Sequence, residues 1–210
     1  TYLYVLSKIK SISENSDKRS TNVVKEIHKL TDIYHCNFSI FQSLPDTWAI
    51  DQLHPIIPIH RHNETPKRRA ILNDITCDSD GMISKFVLND GIYDALPVHK
   101  IKGGEDYFLG VFLVGAYQET LGDLHNLFGD TNVVSIKLET KGKFKIVHEQ
   151  IGDKISEVLS YVEYDPNKLF QEFSKIVNKS LEDNNLNVNE KNKLIKNFRQ
   201  SIQGYTYFEN

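Results

Sequence analysis

The sequence reads Ala70-Ile71-Leu72-Asn73-Asp74-Ile75-Thr76-Cys77-Asp78-Ser79-Asp80-Gly81 at the point where an apolar, β-branched run meets a polar turn. The run predicts a β-strand over residues 70–77. The Asp-Ser-Asp-Gly segment after Cys77 predicts the turn that ends it, because these residue types bond their own backbone or accept a positive φ. Strand ends of this kind commonly present reactive groups on a rigid scaffold. Cys77, followed by Asp78, is therefore the leading candidate for chemistry, and the structural alternative is a half-buried cysteine ahead of an Asx turn.

Short segments with strand character lie on both sides of this stretch. They are residues 34–41, 56–59, 82–88, 107–114, 133–138 and 144–148. Turn sequences such as Asn89-Asp90-Gly91 and Lys141-Gly142-Lys143 separate them, and the second of these predicts a hairpin. The segment 107–114 is too apolar for a strand with one solvated face, so we expect it at the centre of a sheet. Several short strands joined by polar turns predict an antiparallel β-barrel or sandwich over residues 32–152.

Apolar residues at helical spacing flank this β domain at both ends of the chain. Residues 1–31 are expected to be helical with an internal polar loop, and residues 153–210 are expected to form a C-terminal helical subdomain. Within that subdomain, Asp165-Pro166 predicts an N-cap with proline at the first helical position. Asn187 and Glu190 have the spacing of a capping box. The predicted fold class is therefore mainly β with helical flanks.

The composition excludes several classes of protein. The 210 residues carry 25 Lys and Arg against 28 Asp and Glu, which gives a net charge of −3. The one basic cluster, Lys67-Arg68-Arg69, adjoins a proline in a loop, so we expect no nucleic-acid partner. No apolar segment has the length that a bilayer span needs, so we expect no membrane association. Because the chain starts at Thr1, we interpret it as a piece of a longer protein.

The cysteine and histidine content favours a cytoplasmic protein without a structural zinc site. Two cysteines, Cys36 and Cys77, are too few for a disulfide framework in a chain of this size. We therefore expect reduced thiols and a cytoplasmic location, and the alternative is a single bridge between neighbouring strands. The eight histidines show none of the spacings typical of zinc ligands.

A second candidate site follows the apolar segment 107–114, where the sequence reads Gly115-Ala116-Tyr117-Gln118. Small side chains at the first two positions allow a ligand or another backbone to approach closely, and Tyr117 offers a phenol beside them. Residues 118–128 are expected to be helical and to carry His125. The structural alternatives are ordinary core packing for the Gly-Ala-Tyr segment and a hydrogen-bonded structural role for His125.

Longer motifs carry a resemblance to a known family. They are Asn37-Phe38-Ser39-Ile40-Phe41-Gln42-Ser43-Leu44-Pro45-Asp46, Trp48-Ala49-Ile50-Asp51-Gln52, Asp74 through Gly81, Gly115-Ala116-Tyr117-Gln118-Glu119 and Leu124-His125-Asn126-Leu127-Phe128-Gly129-Asp130. In this order they resemble the C-terminal part of the biosynthetic arginine decarboxylases. Those enzymes use pyridoxal phosphate, have the alanine-racemase-like fold, and are related to ornithine and diaminopimelate decarboxylases. The resemblance extends from about Tyr34 to Tyr207, and residues 1–31 resemble the end of the family's helical bundle more weakly.

The resemblance implies an active site shared between the subunits of a homodimer or higher homo-oligomer. A (β/α)₈ barrel, absent from this chain, carries the lysine that binds the cofactor, and the β domain of the neighbouring subunit completes the site. Cys77 then matches the catalytic cysteine that protonates the substrate carbon after carbon dioxide leaves. Asp78 and His125 match substrate-binding positions, and Tyr117 matches the tyrosine at the cofactor phosphate. Magnesium is implied as well, with no ligands assigned.

The implied reaction converts L-arginine to agmatine and carbon dioxide in polyamine biosynthesis. The cofactor ring takes up the electrons that decarboxylation releases, and a thiol is a suitable acid for returning a proton to one carbon. An adjacent Asp78 favours the protonated thiol and attracts a guanidinium. This fragment alone, without the barrel lysine, is predicted to be inactive.

One departure bears on the substrate. Ornithine decarboxylases have Asn-Asp-Gly where this chain has Asn37-Phe38-Ser39, so the acid that binds the ornithine amine is missing at Phe38. This favours arginine over ornithine. Two alternatives stay open: a decarboxylase of another basic amino acid such as ornithine, lysine or diaminopimelate, and a non-catalytic β-barrel assembly module that binds a partner through its helical tail.

Overall fold

The computed structural model describes residues 31–115 and 117–209, which fall into two compact units. The first, here called the strand unit, contains the described residues up to Cys36 together with Gln52–Asn73 and Met82–Val114. The second, here called the site unit, contains Asn37–Asp51, Asp74–Gly81 and the residues from Gly115 onward. The helix predicted for residues 1–31 lies outside the described residues, apart from Thr31. The domain boundaries predicted near residues 32 and 153 stay predictions.

Eight short strands make up the regular structure of the strand unit. They are β1 (Asp32–His35), β2 (Ile56–Pro58), β3 (Arg68–Asn73), β4 (Met82–Ile83), β5 (Phe86–Leu88), β6 (Gly91–Tyr93), β7 (Leu96–Val98) and β8 (Leu109–Val111). Strand β3 pairs in parallel with β1 and antiparallel with both β4 and β7. Strands β2 and β8 form one antiparallel pair, and β5 and β6 form a hairpin across the predicted Asn89-Asp90 turn.

The core of the strand unit is built on alternate residues of β3. Ala70 and Leu72 are 0% and 3% exposed, because successive side chains of a strand point to opposite faces and these two share one face. The remaining buried apolar residues of this unit come from β2, β4, β5 and the segment that ends in β7. They are Ile56, Ile83, Phe86, Ala95, Leu96 and Val98.

The site unit is mainly helical and contains one long hairpin. Its elements are α1 (Ile40–Ser43), α2 (Pro45–Ile50), α3 (Gln118–Leu121), β9 (Val133–Leu138), β10 (Phe144–Gln150), α4 (Ile155–Tyr161), α5 (Pro166–Glu182) and α6 (Val188–Ile202). Strands β9 and β10 pair antiparallel, as predicted, around a turn that contains Lys141 and Gly142. None of the helices within residues 31–115 and 117–209 combines the length and the apolar character that a membrane span requires.

The two long C-terminal helices begin where the sequence predicts. The Asp165 side chain accepts hydrogen bonds from the backbone N–H groups of residues 167 and 168, with Pro166 in the first helical position. Asn187 and Glu190 form the predicted capping box of α6. Helices α5 and α6 pack through Phe173 and Phe198, whose rings stack with centroids 4.2 Å apart. Such aromatic pairs contribute about 0.5–1.5 kcal/mol beyond the area that they bury.

The predicted fold class, mainly β with a helical C-terminus, is confirmed. Over the residues that it describes, the structure excludes one of the two predicted arrangements of the β domain, the barrel, and corrects two further details. The described strands form one four-stranded sheet and three two-stranded pairs, so they do not close into a barrel. The pairing of β1 with β3 is parallel, whereas the prediction was antiparallel throughout. The segment 82–88 is also divided into two strands, β4 and β5, instead of one.

The strand predicted over residues 34–41 ends at His35, and helix α1 follows it. The buried Ser39 side chain accepts a hydrogen bond from the Gln42 N–H, and the Asp74 carboxylate accepts one from the Ile40 N–H. These two acceptors satisfy backbone donors that a helix start leaves open, so capping outweighs the strand propensity of the aromatic residues.

The segment 107–114 was predicted to be a central strand, and this is wrong. Only Leu109–Val111 forms a strand, and its partner β2 is a three-residue strand that ends at Pro58. Phe108 and Leu113 are 56% and 86% exposed in this chain. The strand stops before Leu113, which has a φ of 62°. Apolar composition favours burial of a segment, but it does not determine how many strands pair with it.

Candidate functional site

Cys77 lies in a loop, Asp74–Gly81, that we call the cysteine loop. The strand expected to reach residue 77 ends at Asn73, and the chain turns at Asp74, whose side chain is buried. One Asp74 carboxylate oxygen accepts hydrogen bonds from the Thr76 N–H at 2.8 Å and the Thr76 hydroxyl at 2.7 Å. The other oxygen accepts from the Ile40 N–H at 2.8 Å. Asp74 therefore fixes the cysteine loop to the start of α1.

The ends of the cysteine loop are held together by its backbone. The Asp74 N–H donates to the Gly81 carbonyl at 2.8 Å, and the Gly81 N–H donates to the Asp78 carbonyl at 3.2 Å. The Asp78 side chain accepts from the Asp80 N–H at 2.8 Å, which confirms the predicted Asx turn. The loop therefore presents residues 75–80 as an ordered turn.

Gly81 is required for space and not for a positive φ. A Cβ added there would lie 2.2 Å from an Asp74 carboxylate oxygen and 2.6 Å from the Thr76 hydroxyl oxygen. Both atoms belong to the hydrogen-bonded group that anchors the loop, so they cannot move aside without breaking it.

Gly81→Ala should therefore destabilise the full-length protein by about 1–3 kcal/mol, the usual cost of overpacking. It should also lower whatever activity depends on Cys77, because the displaced carboxylate anchors the loop. Gly103→Ala is the matched control, since a Cβ at Gly103 meets no atom within 4 Å. Thermal unfolding of both variants measures the difference, and equal melting temperatures would contradict the close approach at Gly81.

Cys77 is an exposed free thiol whose backbone and side chain both contact Asn126. The Cys77 N–H donates to Asn126 Oδ1 at 2.9 Å, and Asn126 Nδ2 donates to Cys77 Sγ at 3.4 Å. Next to it, Asp78 Oδ2 lies 3.8 Å from His125 Nε2. This is an ion pair when the imidazole carries its second proton. The structure thus brings Cys77, Asp78 and His125 together, and it adds Asn126, which the sequence analysis did not assign.

His125 packs its ring against an aromatic platform, which is formed by side chains of α1 and α2. Its ring lies 4.4 Å from the ring of Phe41, and Phe41 contacts Trp48 at 5.2 Å in an edge-on arrangement. Phe41 is 3% exposed, and because buried side chains are closely packed, this platform is rigid. The Phe41 carbonyl also accepts from the Asp123 N–H at 3.0 Å, which ties the segment before His125 to α1.

The helix predicted over residues 118–128 is interrupted. Helix α3 ends at Leu121, and Gly122 follows it with an extended backbone. A separate turn over His125–Leu127 contains Asn126 with a φ of 56° and Leu127 with a φ of 61°. This left-handed turn, and not a continuous helix, directs His125 and Asn126 toward the cysteine loop.

Residues near the C-terminus hold the segment that follows this turn. The Tyr207 hydroxyl donates to the Gly129 carbonyl at 2.8 Å, and the Tyr207 ring stacks on Phe128 at 5.2 Å. The Gly129 N–H donates to the Thr206 hydroxyl at 3.2 Å. Burial raises the pKa of the Tyr207 phenol, and the nearby Tyr205 and Asp130 add to this rise, so Tyr207 remains a hydrogen-bond donor at neutral pH.

Tyr117 lies at the start of α3 in the site unit. Its carbonyl accepts from the Leu121 N–H at 2.8 Å and the Thr120 N–H at 3.1 Å, and its side chain is 49% exposed. Gly115 precedes it with a φ of 119° and with no atom within 4 Å of an added Cβ. The phenol and the open backbone are thus accessible to a ligand. The convergence of Tyr117 and Cys77 on one cofactor stays a prediction.

Within the part of the chain that the structure describes, no group of three or more His, Cys, Asp or Glu residues is arranged to hold a metal ion. The magnesium implied by the resemblance therefore finds no carboxylate cluster among these residues, and no chemical step is assigned to it.

Comparison with known proteins gives a consistent result over most of the chain. Residues 155–208 match the family described as the arginine decarboxylase C-terminal helical extension. A biosynthetic arginine decarboxylase of Phocaeicola vulgatus is 49% identical over 193 residues, which are 91% of this chain and 30% of that protein. The corresponding protein of Rhodopirellula baltica is 43% identical over 98% of this chain and 31% of its own length.

A solved structure agrees with these relatives. The crystal structure of the biosynthetic arginine decarboxylase of Campylobacter jejuni matches 99% of this chain with a TM-score of 0.74 and 30% sequence identity, and this chain covers 36% of it. The chain therefore spans about 30% of the length of the curated relatives that it matches.

Proposed function

This chain is homologous to part of the biosynthetic arginine decarboxylases, and from that premise we propose that it is the C-terminal part of an enzyme that converts L-arginine to agmatine and carbon dioxide. The product feeds polyamine biosynthesis. The observation that carries the proposal is the exposed Cys77 thiol held beside the Asp78 carboxylate on an anchored loop. A thiol and a carboxylate in contact with solvent are the groups needed to deliver one proton and to bind one cation.

Cys77 is proposed as the catalytic residue that returns a proton to the substrate carbon after carbon dioxide has left. Asp78 is proposed to bind the guanidinium at the far end of the substrate, because a carboxylate accepts two parallel N–H bonds from that planar group. His125 lies 3.8 Å from Asp78 and forms the wall of this substrate site. Its position on the Phe41 ring limits its movement and thereby orients the carboxylate.

Pyridoxal phosphate is the proposed cofactor. Bound in the site, it supplies an electron sink that makes loss of carbon dioxide possible. The residues of this chain fit the cofactor phosphate in one respect. The Tyr117 side chain is exposed, so its hydroxyl can donate to a phosphate oxygen. At Gly115 no atom lies within 4 Å of an added Cβ, so a ligand can approach the backbone there. The lysine that binds the cofactor is proposed to come from the part of the full-length enzyme that this chain does not contain.

The enzyme is proposed to act in the cytoplasm as a homodimer or larger homo-oligomer, in which this chain completes the site of a neighbouring subunit. The exposed position of the proposed site supports this arrangement, because proton transfer to one specific carbon requires a site closed to water. Cys36 and Cys77 are not joined in a disulfide, which fits a reducing compartment. A role for magnesium remains an expectation from the family alone.

Substrate competition in the full-length enzyme tests the specificity. We expect arginine to be decarboxylated at least about tenfold more efficiently than ornithine, lysine or diaminopimelate, because none of the other side chains offers the bidentate guanidinium. The structure places Phe38 just before α1, where its carbonyl accepts from the Ile75 N–H at 3.2 Å, so no acid stands at that position to bind the ornithine amine. Preference for ornithine, lysine or diaminopimelate in kcat/KM would identify a related decarboxylase instead.

A further inference from the structure

Asn126 makes two contacts with one residue, and they involve both polar atoms of its side chain. Oδ1 accepts from the Cys77 backbone N–H at 2.9 Å, and Nδ2 donates to Cys77 Sγ at 3.4 Å. The two residues are 49 positions apart in the sequence. A side-chain amide that hydrogen-bonds both the backbone N–H and the sulfur of one residue restricts rotation of that residue's side chain, and so fixes the position of the thiol.

The orientation of the amide follows from the chemistry of its partners. A backbone N–H can only donate, so the Asn126 atom that faces it must be the carbonyl oxygen. The NH₂ group is therefore the one directed at the sulfur, which accepts the hydrogen bond. Donation to sulfur becomes stronger when the sulfur is negatively charged, because hydrogen bonds to ions are roughly twice as strong as neutral ones.

The backbone of Asn126 explains why this residue type suits the position. Its φ of 56° and ψ of 23° lie in the left-handed region, which asparagine adopts more readily than most other residues. Leu127 continues the turn with a φ of 61°. The same residue type thus satisfies the turn and supplies an amide with one acceptor and one donor.

We propose that Asn126 is a positioning residue that holds the Cys77 thiol in place and stabilises the thiolate left after Cys77 gives up its proton. The inference rests on the proposed role of Cys77 as proton donor. In that step the S–H bond breaks, its electron pair stays on sulfur, and the proton forms a C–H bond at the substrate carbon. Asn126 Nδ2–H then donates to a full negative charge instead of a neutral thiol, so its contribution grows as the proton leaves.

Asn126→Asp in the full-length enzyme separates the two contacts. The new side chain keeps an oxygen for the Cys77 N–H, but it turns a negative oxygen toward the sulfur in place of the N–H donor. Asn184→Asp is the matched control, because Asn184 also has a φ of 56° and is exposed near the end of α5. Asn126→Gly is a second variant, which permits the same backbone conformation and removes both contacts.

Two measurements report on the thiol. The first is alkylation of Cys77 by iodoacetamide at neutral pH, quantified on the Cys77 peptide by mass spectrometry. We expect about tenfold slower alkylation in Asn126→Asp than in Asn184→Asp, because a neighbouring negative charge disfavours the reactive thiolate. The second is the ratio of agmatine to the guanidino aldehyde, which forms when the proton goes to the cofactor. We expect this ratio to fall about tenfold in Asn126→Asp and in Asn126→Gly.

These measurements distinguish the failure of the inference from the failure of the proposed function. If Cys77→Ala alters the product ratio but both Asn126 variants match Asn184→Asp, Asn126 has no positioning role. If Cys77→Ala leaves the product ratio unchanged, the proposed function of Cys77 is wrong, and the inference for catalysis is overturned with it. Should Asn126→Asp fail to fold, Asn126→Gly gives the product ratio, and an unchanged ratio there overturns the inference.

Discussion

Cys77→Ala in the full-length enzyme should lower agmatine formation by about 10²–10⁴-fold, the usual contribution of a positioned general acid. The loss should be accompanied by a larger share of guanidino aldehyde. Without the thiol, protonation of the decarboxylated substrate would fall to water or another acid and would reach the wrong atom more often. With pyridoxal phosphate bound, such misdirected protonation would leave the amino group on the cofactor and release the substrate as an aldehyde. Separate quantification of the two products and of carbon dioxide release gives the partition directly.

Cys36→Ala is the control for this experiment. Cys36 is the second cysteine of the sequence, and its thiol donates to the Tyr34 carbonyl at 3.6 Å in the strand unit. Its replacement should leave both the rate of agmatine formation and the product ratio close to those of the unmodified enzyme. If Cys77→Ala behaves in the same way, the protonation role belongs to another residue.

The isolated 210-residue chain should form no detectable agmatine from arginine, even with pyridoxal phosphate added. The chain spans about 30% of the length of its relatives, and the lysine that the proposed mechanism needs is assigned to the missing part. Without that lysine the chain neither orients nor encloses the cofactor. The protein therefore accelerates decarboxylation little beyond the slow reaction of the cofactor in water. The assay compares the isolated chain with the full-length enzyme at equal concentration, and agmatine release by the isolated chain would contradict the proposed division of the active site.

Hybrid oligomers test whether that active site is shared between subunits. One inactive variant carries Cys77→Ala, and a second lacks the cofactor-binding lysine in the other part of the enzyme. If each site combines residues of two subunits, mixing the two variants should restore about a quarter of the original activity, since random pairing makes half of the dimers hybrid and one of their two sites complete. No recovery after verified subunit exchange would place both groups in a single subunit.

Local sequence signals predicted the features of this fold that depend on neighbouring residues. Asp165 and Asn187 begin helices as expected, because a cap is made by a side chain and backbone N–H groups within three positions. The hairpin of β9 and β10 and the Asx turn at Asp78 are of the same kind. These caps and turns depend on contacts between residues that are close together in the sequence.

The errors arose where a distant residue competed with local propensity. Aromatic and β-branched residues predicted a strand through Phe41, but the Asp74 carboxylate, 34 residues away, accepts the Ile40 N–H and helps to start a helix there. The sequence predicted a helix over residues 118–128, yet the left-handed turn at Asn126 interrupts it and is held against Cys77. Local patterns carry no information about such partners.

The sequence by itself determined that a thiol and a carboxylate stand side by side at Cys77 and Asp78, because covalent neighbours on a tight turn cannot separate. It also placed a histidine and an asparagine together at residues 125 and 126. Only the tertiary structure decided that these two pairs face each other, with Asn126 on Cys77 and His125 near Asp78. The physical reason is that Cys77 and Asn126 are 49 positions apart in the sequence, so their contact depends on tertiary packing and not on local propensity.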